Sequence, residues 1–459
     1  MKRVAIALVV LALAAPAHAQ KRQVRKLVEQ RMAAQHIPGV AVAVVRQGKP
    51  RLIRGFGLAS VTHNAPVTPD TVFRLASVTK QFTAAAILLL AEDGKLGLDD
   101  AISDHLDGVP EAWKPITIRH LLHHTSGLKN FTSMASIWEN RRDDFTPERL
   151  IEAVAKEPLE FAPGERHVYC NTGYFLLGLI IEKASGKSFD EFLRERIFEP
   201  LQMHDTRLED DAAVIPRFAE GYRWVSGTLQ RANFVSDTLP FAAGGLLSTV
   251  RDMAKWDAAL YDDRILSDVS REAMWTPPTL SSGEESDYGF GWLINEIEGR
   301  QMLSHSGGID GFSTFIARLP EEGVTVIVLV NQEGGSAVLL ARAIGQLYLP
   351  HLAPQSIEDD NASITADHRA LLAALVAGNA PEERFGQELR AAFFPDGAAQ
   401  LSEFLRSLGE LRSVELLERG PQEGGSRHRY LARFGETAMV VRFVVSADDL
   451  VTGIQITFD

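Results

Sequence analysis

The sequence predicts an α/β (α+β) fold in two domains. At 459 residues the chain exceeds the size at which a single hydrophobic core usually stops growing. Strand-like runs near both ends of residues 24–348 enclose a mainly helical middle, which implies a sheet assembled from distant parts of the chain. A segment rich in proline, aspartate and asparagine at 349–362 then precedes a second group of helical and strand-like runs.

Residues 1–19 are predicted to be a cleavable secretory signal peptide. Lys2 and Arg3 precede an apolar run at 4–15, and Ala17-His18-Ala19 is a small-x-small cleavage site. The run is too short to span a bilayer, and no later segment holds about 18 consecutive apolar residues. We therefore expect a mature protein without a membrane span, exported to the periplasm or secreted.

The elements of the first domain, 20–352, follow from hydrophobic periodicity and turn residues. A helix at 24–35 ends before Pro38-Gly39, and strands at 40–46 and 51–57 form a hairpin. A strongly apolar helix begins near Ser77 and ends at Gly94. Further helices are predicted at 118–124, 147–156, 172–185, 189–198, 250–261 and 337–348, and strands at 288–297, 302–305, 312–319 and 324–330.

After a linker at 353–362, the predicted order of elements changes. Three helical patterns at 367–377, 382–393 and 398–408 are followed by strand-like runs at 414–419, 427–434, 438–445 and 451–458. Helices followed by an antiparallel meander predict a separate α+β domain at 363–459.

Composition excludes some classes of partner. Sixty acidic residues against 47 basic ones give a formal net charge of −13, which argues against nucleic acid or anionic lipid as a partner. The one cysteine, Cys170, cannot form an internal disulfide, and we expect it to be a small buried thiol.

A Ser-x-x-Lys motif, Ser77 to Lys80, opens the strongly apolar helix. Residues three apart lie on one helical face, so the hydroxyl and the amine can share a hydrogen bond. This pairs a weak nucleophile with the base that has to deprotonate it. The backbone N–H of Ser77 is also one of the free donors at a helix start, available to an oxyanion. We interpret Ser77 as the nucleophile; an ordinary helix-start serine is the alternative.

A second match to the motif stands at Ser126 and Lys129. Gly127, directly after the serine, weakens a helix by about 1 kcal/mol. No amphipathic run follows Lys129. The comparison of the two matches favours Ser77 over Ser126 as the nucleophile.

Two further motifs contribute candidate residues. In Tyr169-Cys170-Asn171, at the start of a predicted helix, the phenol can relay a proton and the carboxamide can hold a lysine amine and a substrate amide. A buried tyrosine and an N-cap asparagine are the alternative. His305-Ser306-Gly307-Gly308 is predicted to end one strand and turn into the next, where glycines let a substrate backbone approach. A plain turn is the alternative there.

In this order and spacing, the three motifs resemble those of the penicillin-binding serine hydrolases, specifically the class C β-lactamase and D-peptidase group. The resemblance runs over about residues 24–348 and excludes the C-terminal domain. It includes the segments 73–80, 121–128, 163–165, 243–246 and 288–292.

The resemblance implies an antiparallel sheet flanked by helices, an all-α subdomain, and a site between them without metal or cofactor. His120, His123 and His124 are not accompanied by a suitably spaced acidic ligand, so a zinc site is not expected there either. The resemblance implies that Ser77 is the nucleophile, that Lys80 and Tyr169 transfer protons and that Asn171 positions the substrate. It implies that His305, Ser306 and Gly307 form the opposite wall of the site. The backbone amides of Ser77 and Gly308 would form the oxyanion hole.

His305 stands where the β-lactamases carry lysine, which favours D-peptidases and esterase-like members. With its ordinary pKa near 6.5, it would change charge between about pH 6 and 8. We expect an exported hydrolase acting on a small molecule or a D-amino-acid-containing peptide, which peptidoglycan could supply. A carboxylesterase and a penicillin-recognising wall-binding module without turnover are the alternatives. The C-terminal domain weakly resembles the nuclear-transport-factor-2-like α+β folds.

Overall fold

The computed structural model describes residues 2–334, 336–422, 424–435 and 437–457. The chain divides into two compact units, Met1–Tyr348 and Leu349–Asp459. Across the described ranges, no helix combines the length and the apolar character needed to cross a membrane. The predicted mixed α/β class is confirmed, since each unit combines helices with an antiparallel sheet.

The first unit contains twelve described strands and eleven described helices. The strands are β1 (Gly39–Arg46), β2 (Lys49–Ser60), β3 (Ala65–Pro66), β4 (Val72–Arg74), β5 (Arg207–Leu208), β6 (Tyr222–Val225), β7 (Thr228–Arg231), β8 (Leu246–Thr249), β9 (Leu293–Ile297), β10 (Arg300–Ile309), β11 (Phe312–Leu319) and β12 (Val324–Val330). The helices are α1 (Lys2–Gln35), α2 (Lys80–Glu92), α3 (Ile118–Leu122), α4 (Ala135–Trp138), α5 (Pro147–Ala155), α6 (Asn171–Ser185), α7 (Phe189–Leu193), α8 (Phe241–Gly244), α9 (Val250–Ala259), α10 (Asp268–Met274) and α11 (Ser336–Tyr348).

A seven-stranded antiparallel sheet with the order β3-β2-β1-β12-β11-β10-β9 forms the base of this unit. β1 and β12 come from opposite ends of the unit and pair in the centre, with Val40 opposite Val330. All residues of β12 and all but the last of β1 are buried. Both runs are nearly continuous in apolar residues, as expected for strands covered on both faces. Helices α9 and α11 pack on them.

Helix α2 connects the sheet to the helical part of the unit. All its residues from Lys80 to Leu90 are buried, and it packs on α6, α7, α8 and α10. A helix that is apolar on all sides is stable only inside a core. Its position places the first residue of the helix, Lys80, at the junction between sheet and helices.

Several short elements differ from the sequence prediction. The region between α2 and α8, predicted as helix and loop, also contains β5 and the hairpin β6–β7. β8 lies where the chain was expected only to lead into α9. Strands of two to four residues show no measurable periodicity, so tertiary pairing decides them. The first helix begins at Lys2 and not at residue 24.

The second unit contains three α-helices and four strands among its described residues. The helices are α12 (Ala362–Ala377), α13 (Gln387–Phe393) and α14 (Asp396–Ser407), and the strands β13 (Leu411–Gln422), β14 (Gly425–Phe434), β15 (Thr437–Ser446) and β16 (Val451–Thr457) form an antiparallel meander in chain order. Leu371, Leu372 and Leu375 of α12 are buried, and α12 packs on α14 and β13.

A buried ion pair in the first unit provides a stability prediction. Arg318 of β11 donates to the Asp257 carboxylate of α9 at 3.0 Å, and the Thr325 hydroxyl donates to the same carboxylate at 2.7 Å. Both charged side chains are at most 1% exposed. Arg318→Met leaves a buried carboxylate without its cation and should lower the free energy of unfolding by about 3–5 kcal/mol.

The matched control is Arg300→Met on the neighbouring strand. Arg300 pairs with Glu321 at 2.7 Å, but both side chains are about half exposed. That substitution should cost about 0–1 kcal/mol. Urea unfolding of the two variants measures the difference, and equal losses would contradict the importance of the buried pair.

Candidate active site

Ser77 lies in a tight turn that the surrounding strands hold in place. It belongs to a 3₁₀ helix, Ala76–Thr79, directly before α2. Ala76 has φ of +48°, a left-handed conformation that costs energy for any residue with a Cβ. The Leu75 N–H donates to the Leu246 carbonyl at 2.8 Å, and the Leu246 N–H donates to the Thr79 hydroxyl at 3.1 Å. β8 therefore fixes the turn on both sides of the serine.

Gly307 allows this turn to lie directly on β10. A Cβ at this position would lie 2.2 Å from both the Leu75 carbonyl oxygen and the Thr314 hydroxyl oxygen. The Thr314 hydroxyl itself donates to the Leu75 carbonyl at 2.7 Å. Gly307 is buried against the turn that contains Ser77. This contact with the protein's own backbone explains why a glycine is needed here, and no approach of a substrate is required to explain it.

Lys80 is the central group of the site. Its ammonium nitrogen Nζ lies 3.1 Å from Ser77 Oγ, 2.8 Å from Asn171 Oδ1 and 2.7 Å from the Ala243 carbonyl oxygen. The side chain is completely buried, and burial holds the pKa of Lys80 well below its ordinary value. A neutral amine has two hydrogens and one lone pair. With the hydrogens directed to Asn171 and Ala243, the lone pair can accept the Ser77 proton.

Tyr169 and Asn171 complete the group around the amine. Lys80 Nζ lies 4.8 Å from the centroid of the Tyr169 ring. Burial raises the pKa of Tyr169 above its ordinary value, while a hydrogen bond with Ser77 acts in the opposite direction. The phenol is therefore protonated at neutral pH and can donate a proton beside Ser77.

Asn171 is oriented by two residues that the sequence analysis missed. It is the first residue of α6, and its N–H donates to Asn130 Oδ1 at 3.2 Å. Its Nδ2 donates to the Thr132 hydroxyl at 3.1 Å, which directs Oδ1 to Lys80. Asn130 and Thr132 lie in a segment without a motif of its own, so only the folded chain identifies them.

His305 differs from expectation in position and in charge. It lies within β10, and not at the end of a strand as predicted. Nδ1 donates to the Ser306 carbonyl at 2.7 Å, and Nε2 accepts from the Tyr288 hydroxyl at 2.8 Å. Burial lowers the pKa of His305 to about 3, and an ammonium at Lys80 would act in the same direction. The expectation of a charge change between pH 6 and 8 is therefore wrong, because the ring is neutral throughout that range.

A pocket with a cavity volume of about 60 Å³ opens beside Ser77. Gly308 lies on its wall, while Ser306 is exposed and His305 is buried against Tyr288. The pairing of β10 with β9 ends at Ser304, so β9 does not cover the edge of 305–309. The lining residues are Ala76, Ser77, Phe131, Thr132, Trp138, Asn171, Val235, Leu239, Pro240, Ala243, Gly244, Gly308 and Ile309, most of them apolar.

The second Ser-x-x-Lys match does not form a pair. The Ser126 hydroxyl accepts from the Leu128 N–H at 3.3 Å, and Lys129 forms an ion pair with Glu160 at 2.7 Å. Cys170 is buried, with its thiol donating to the Leu128 carbonyl at 3.3 Å. Among the residues that the structure describes, no three metal-ligating side chains cluster.

The fold and the Ser77–Lys80–Tyr169 arrangement together have the form of a serine-hydrolase site. The family model for Beta-lactamase matches residues 24–349. The chain therefore belongs to the Beta-lactamase family.

Named relatives agree with this assignment. Penicillin-binding protein 4* of Bacillus subtilis is 36% identical over 294 residues, covering 61% of this chain and 64% of the relative. D-aminopeptidase of Gluconobacter oxydans is 30% identical over 328 residues, covering 69% of this chain and 61% of the relative. The chain thus spans less than two thirds of the length of each.

Among solved structures, the D-amino acid amidase of Ochrobactrum anthropi complexed with L-phenylalanine amide superimposes with a TM-score of 0.60. It is 28% identical, and the superposition covers 72% of this chain and 96% of the amidase. The first unit therefore has the fold of this group, as the sequence predicted.

The two lysines of the Ser-x-x-Lys matches provide a controlled test of the base. Lys80→Arg introduces a guanidinium group, which does not give up its proton. The rate at which a fluorescent phosphonate labels Ser77 should fall by about 10²–10⁴-fold, the usual contribution of a general base. Lys129→Arg should leave the rate unchanged, since that side chain pairs with Glu160. Rates within twofold of each other for the two variants would exclude Lys80 as the base.

The lowered pKa of His305 predicts acid sensitivity of the fold. The unfolded histidine takes up a proton below about pH 6.5, whereas the folded one stays neutral to about pH 3. Between these values the unfolded state binds more protons, so stability is lost as the pH falls. His305→Asn should reduce the stability difference between pH 7 and pH 4.5 by about 2–3 kcal/mol.

Urea unfolding at the two pH values measures this effect. Because the readout is a difference between pH values, any constant cost of the substitution cancels. The exposed His63 provides the matched control, His63→Asn. A pH dependence that is the same in both variants would show that His305 does not titrate as described.

Proposed function

We propose that this protein is an exported serine hydrolase that forms an acyl-enzyme on Ser77 and hydrolyses an amide or ester bond, with D-amino-acid amides and peptides as its substrate class. The observation that carries the proposal is the fully buried Lys80 amine, 3.1 Å from Ser77 Oγ, with uncharged hydrogen-bond partners. An amine in this environment serves as a base near neutral pH.

In the proposed acylation step, Ser77 Oγ attacks the substrate carbonyl carbon while Lys80 Nζ accepts the hydroxyl proton. The negative charge on the carbonyl oxygen is bound by the backbone N–H groups of Ser77 and Gly308, which line one pocket. The ammonium formed at Lys80 remains bonded to Asn171 and Ala243. As the C–N or C–O bond of the substrate breaks, the protonated Tyr169 passes its proton to the leaving amine or alkoxide and regains one from the Lys80 ammonium.

Deacylation uses the same groups in reverse. A water molecule attacks the ester carbonyl of the acyl-enzyme and gives a proton to Lys80. The ester bond to Ser77 Oγ then breaks, the acid is released, and Ser77 Oγ takes that proton from the Lys80–Tyr169 pair. Asn171 keeps the amine in position through both steps, because Thr132 bonds its carboxamide and Asn130 bonds its backbone N–H.

The pocket supports a substrate with an apolar side chain. Its apolar wall is formed by Phe131, Trp138, Val235, Leu239 and Ile309. Burying an aromatic or aliphatic side chain of a substrate there is favourable. Since His305 is neutral, it offers no cation to a free substrate carboxylate. The names of two relatives, a D-aminopeptidase and a D-amino acid amidase, support D-configured amides or peptides, which peptidoglycan could supply.

Export is proposed from the leader at 1–19, with the periplasm or the medium as destination. We further propose residues 20–352 as the hydrolase domain, 353–362 as the linker and 363–459 as an additional domain.

Two alternatives use the same residues. The apolar pocket also suits a carboxylesterase. The second alternative is a penicillin-recognising protein without turnover, which the name of the relative Penicillin-binding protein 4* supports. A burst of product without steady turnover would identify that second alternative.

A substrate panel tests the proposal. D-phenylalanine amide should be hydrolysed with a higher kcat/KM than D-aspartic acid amide or L-phenylalanine amide, because the pocket is apolar and the proposal assigns D-substrates. The advantage over the aspartic acid amide should be about tenfold or more, the effect of one buried side chain. A p-nitrophenyl acetate arm measures esterase activity.

Ser77→Ala should abolish turnover in every arm, whereas Ser126→Ala should retain it. Preferential turnover of the ester with inert amides would establish the carboxylesterase instead. Retained activity in Ser77→Ala would remove the proposed nucleophile.

A further inference from the structure

The C-terminal unit contains a pocket of its own, with a volume of about 570 Å³. Ligand pockets of proteins usually measure about 300–1,000 Å³. Helix α12 forms one side, and residues of β13, β14 and β15 form another. The lining residues are Ser363, Ile364, Asp367, His368, Arg384, Arg419, Gly420, Ser426, His428, Val445 and Asp449. Their chemistry is largely polar, unlike that of the pocket beside Ser77.

Two buried histidines connect the helix side of this pocket to the sheet side. His368 of α12 and His428 of β14 are 3% and 4% exposed, and their Nδ1 atoms lie 3.4 Å apart. His428 Nε2 bonds Ser426 Oγ at 2.9 Å, and His368 Nδ1 bonds the Tyr430 hydroxyl at 2.9 Å. Burial lowers the pKa of both rings, to about 4 for His368. At neutral pH they therefore present uncharged donors and acceptors.

Charged groups of both signs line the pocket. Arg384 donates to Asp367 at 3.0 Å, and Arg419 donates to Asp359 at 3.1 Å and also to Asp360. Asp449 lies near enough to influence the pKa of both Arg384 and His428. The lining thus contains two guanidinium groups and two carboxylates.

The Arg384–Asp367 pair keeps capacity for a ligand, whereas Arg419 already donates to Asp359, Asp360 and Thr365. Two of the five N–H donors of Arg384 go to Asp367. The Arg384 and Asp367 side chains remain 32% and 50% exposed, so a bound molecule can reach both without displacing the ion pair.

We propose that this pocket binds a small zwitterion of the amino-acid or short-peptide class, with its carboxylate on Arg384 and its ammonium on Asp367 and Asp449. An anion alone would meet the two carboxylates, and a cation alone would meet the two guanidinium groups. An apolar ligand would desolvate both without replacing their hydrogen bonds. A molecule carrying both charges finds an opposite partner for each.

This site is separate from Ser77 and does not depend on the proposed hydrolase activity. If that activity also holds, the ligand class coincides with the products that hydrolysis of a peptide releases.

Calorimetric titration of the full chain with Ser77→Ala tests the proposal without turnover. The probes are D-alanyl-D-alanine, L-alanyl-L-alanine, acetate and ethylammonium. At least one dipeptide should bind with a dissociation constant of about 1 mM or tighter. The two single-charge probes should bind about tenfold or more weakly. Comparable affinity for acetate would establish a simple anion site, and comparable affinity for ethylammonium a simple cation site; either would overturn the proposal, as would absence of dipeptide binding.

Variants locate the binding site. Arg384→Gln and Ser426→Ala should each weaken dipeptide binding, by about tenfold for the arginine, whereas Arg433→Gln should not. Arg433 is the matched control, since it pairs with Glu415 on the same sheet outside the pocket. Thermal unfolding checks that each variant is folded. If Arg384→Gln does not fold, Ser426→Ala still tests the pocket, because it removes only a hydroxyl.

The same titration on the wild-type chain labelled at Ser77 by a phosphonate separates the two sites. Unchanged dipeptide binding after labelling supports the C-terminal site. Loss of binding on labelling, or binding that survives both pocket variants, would overturn it.

Discussion

The uncompensated burial of one amine determines most of the architecture around Ser77. Lys80 is fully enclosed, and its three hydrogen-bond partners are uncharged. Burying an ammonium without a counter-charge is expensive, so the group gives up its proton more readily. The acceptors come from the nucleophile turn, α6 and α8, which are far apart in sequence. The base therefore exists only when all three segments are assembled, and α2, buried on all sides, holds them at one point.

The surroundings of the amine avoid competing charge. His305 is neutral with its pKa near 3, and burial lowers the pKa of His124 well below its ordinary value. Tyr174, whose ring centroid lies 5.4 Å from Lys80 Nζ, donates its hydroxyl to the Leu122 carbonyl at 2.9 Å. Because burial keeps these groups uncharged near neutral pH, none of them adds a charge beside the Lys80 amine.

Local sequence patterns predicted most of the helices and strands. The features that these patterns missed are determined by long-range packing. β11 and β12 were predicted with their observed limits because continuous apolar runs bounded by turns have a clear signature. Ser77 and Lys80 were identifiable because their spacing within one helical turn is itself local. His305 was placed at a strand end because two glycines follow it, but Gly307 serves contact with Leu75, and β10 continues to Ile309. The sequence alone does not distinguish a glycine that close packing requires from a glycine that a turn requires.

The charge of His305 could not be predicted for a related reason. Its ordinary pKa applies to a solvated ring, and the sequence does not reveal that Tyr288 and the Ser306 carbonyl enclose it. Asn130 and Thr132 are a similar case, since they act through Asn171 and carry no motif. The residues proposed to perform chemistry are thus recognisable from spacing, whereas those that set their protonation state emerge only from tertiary contacts.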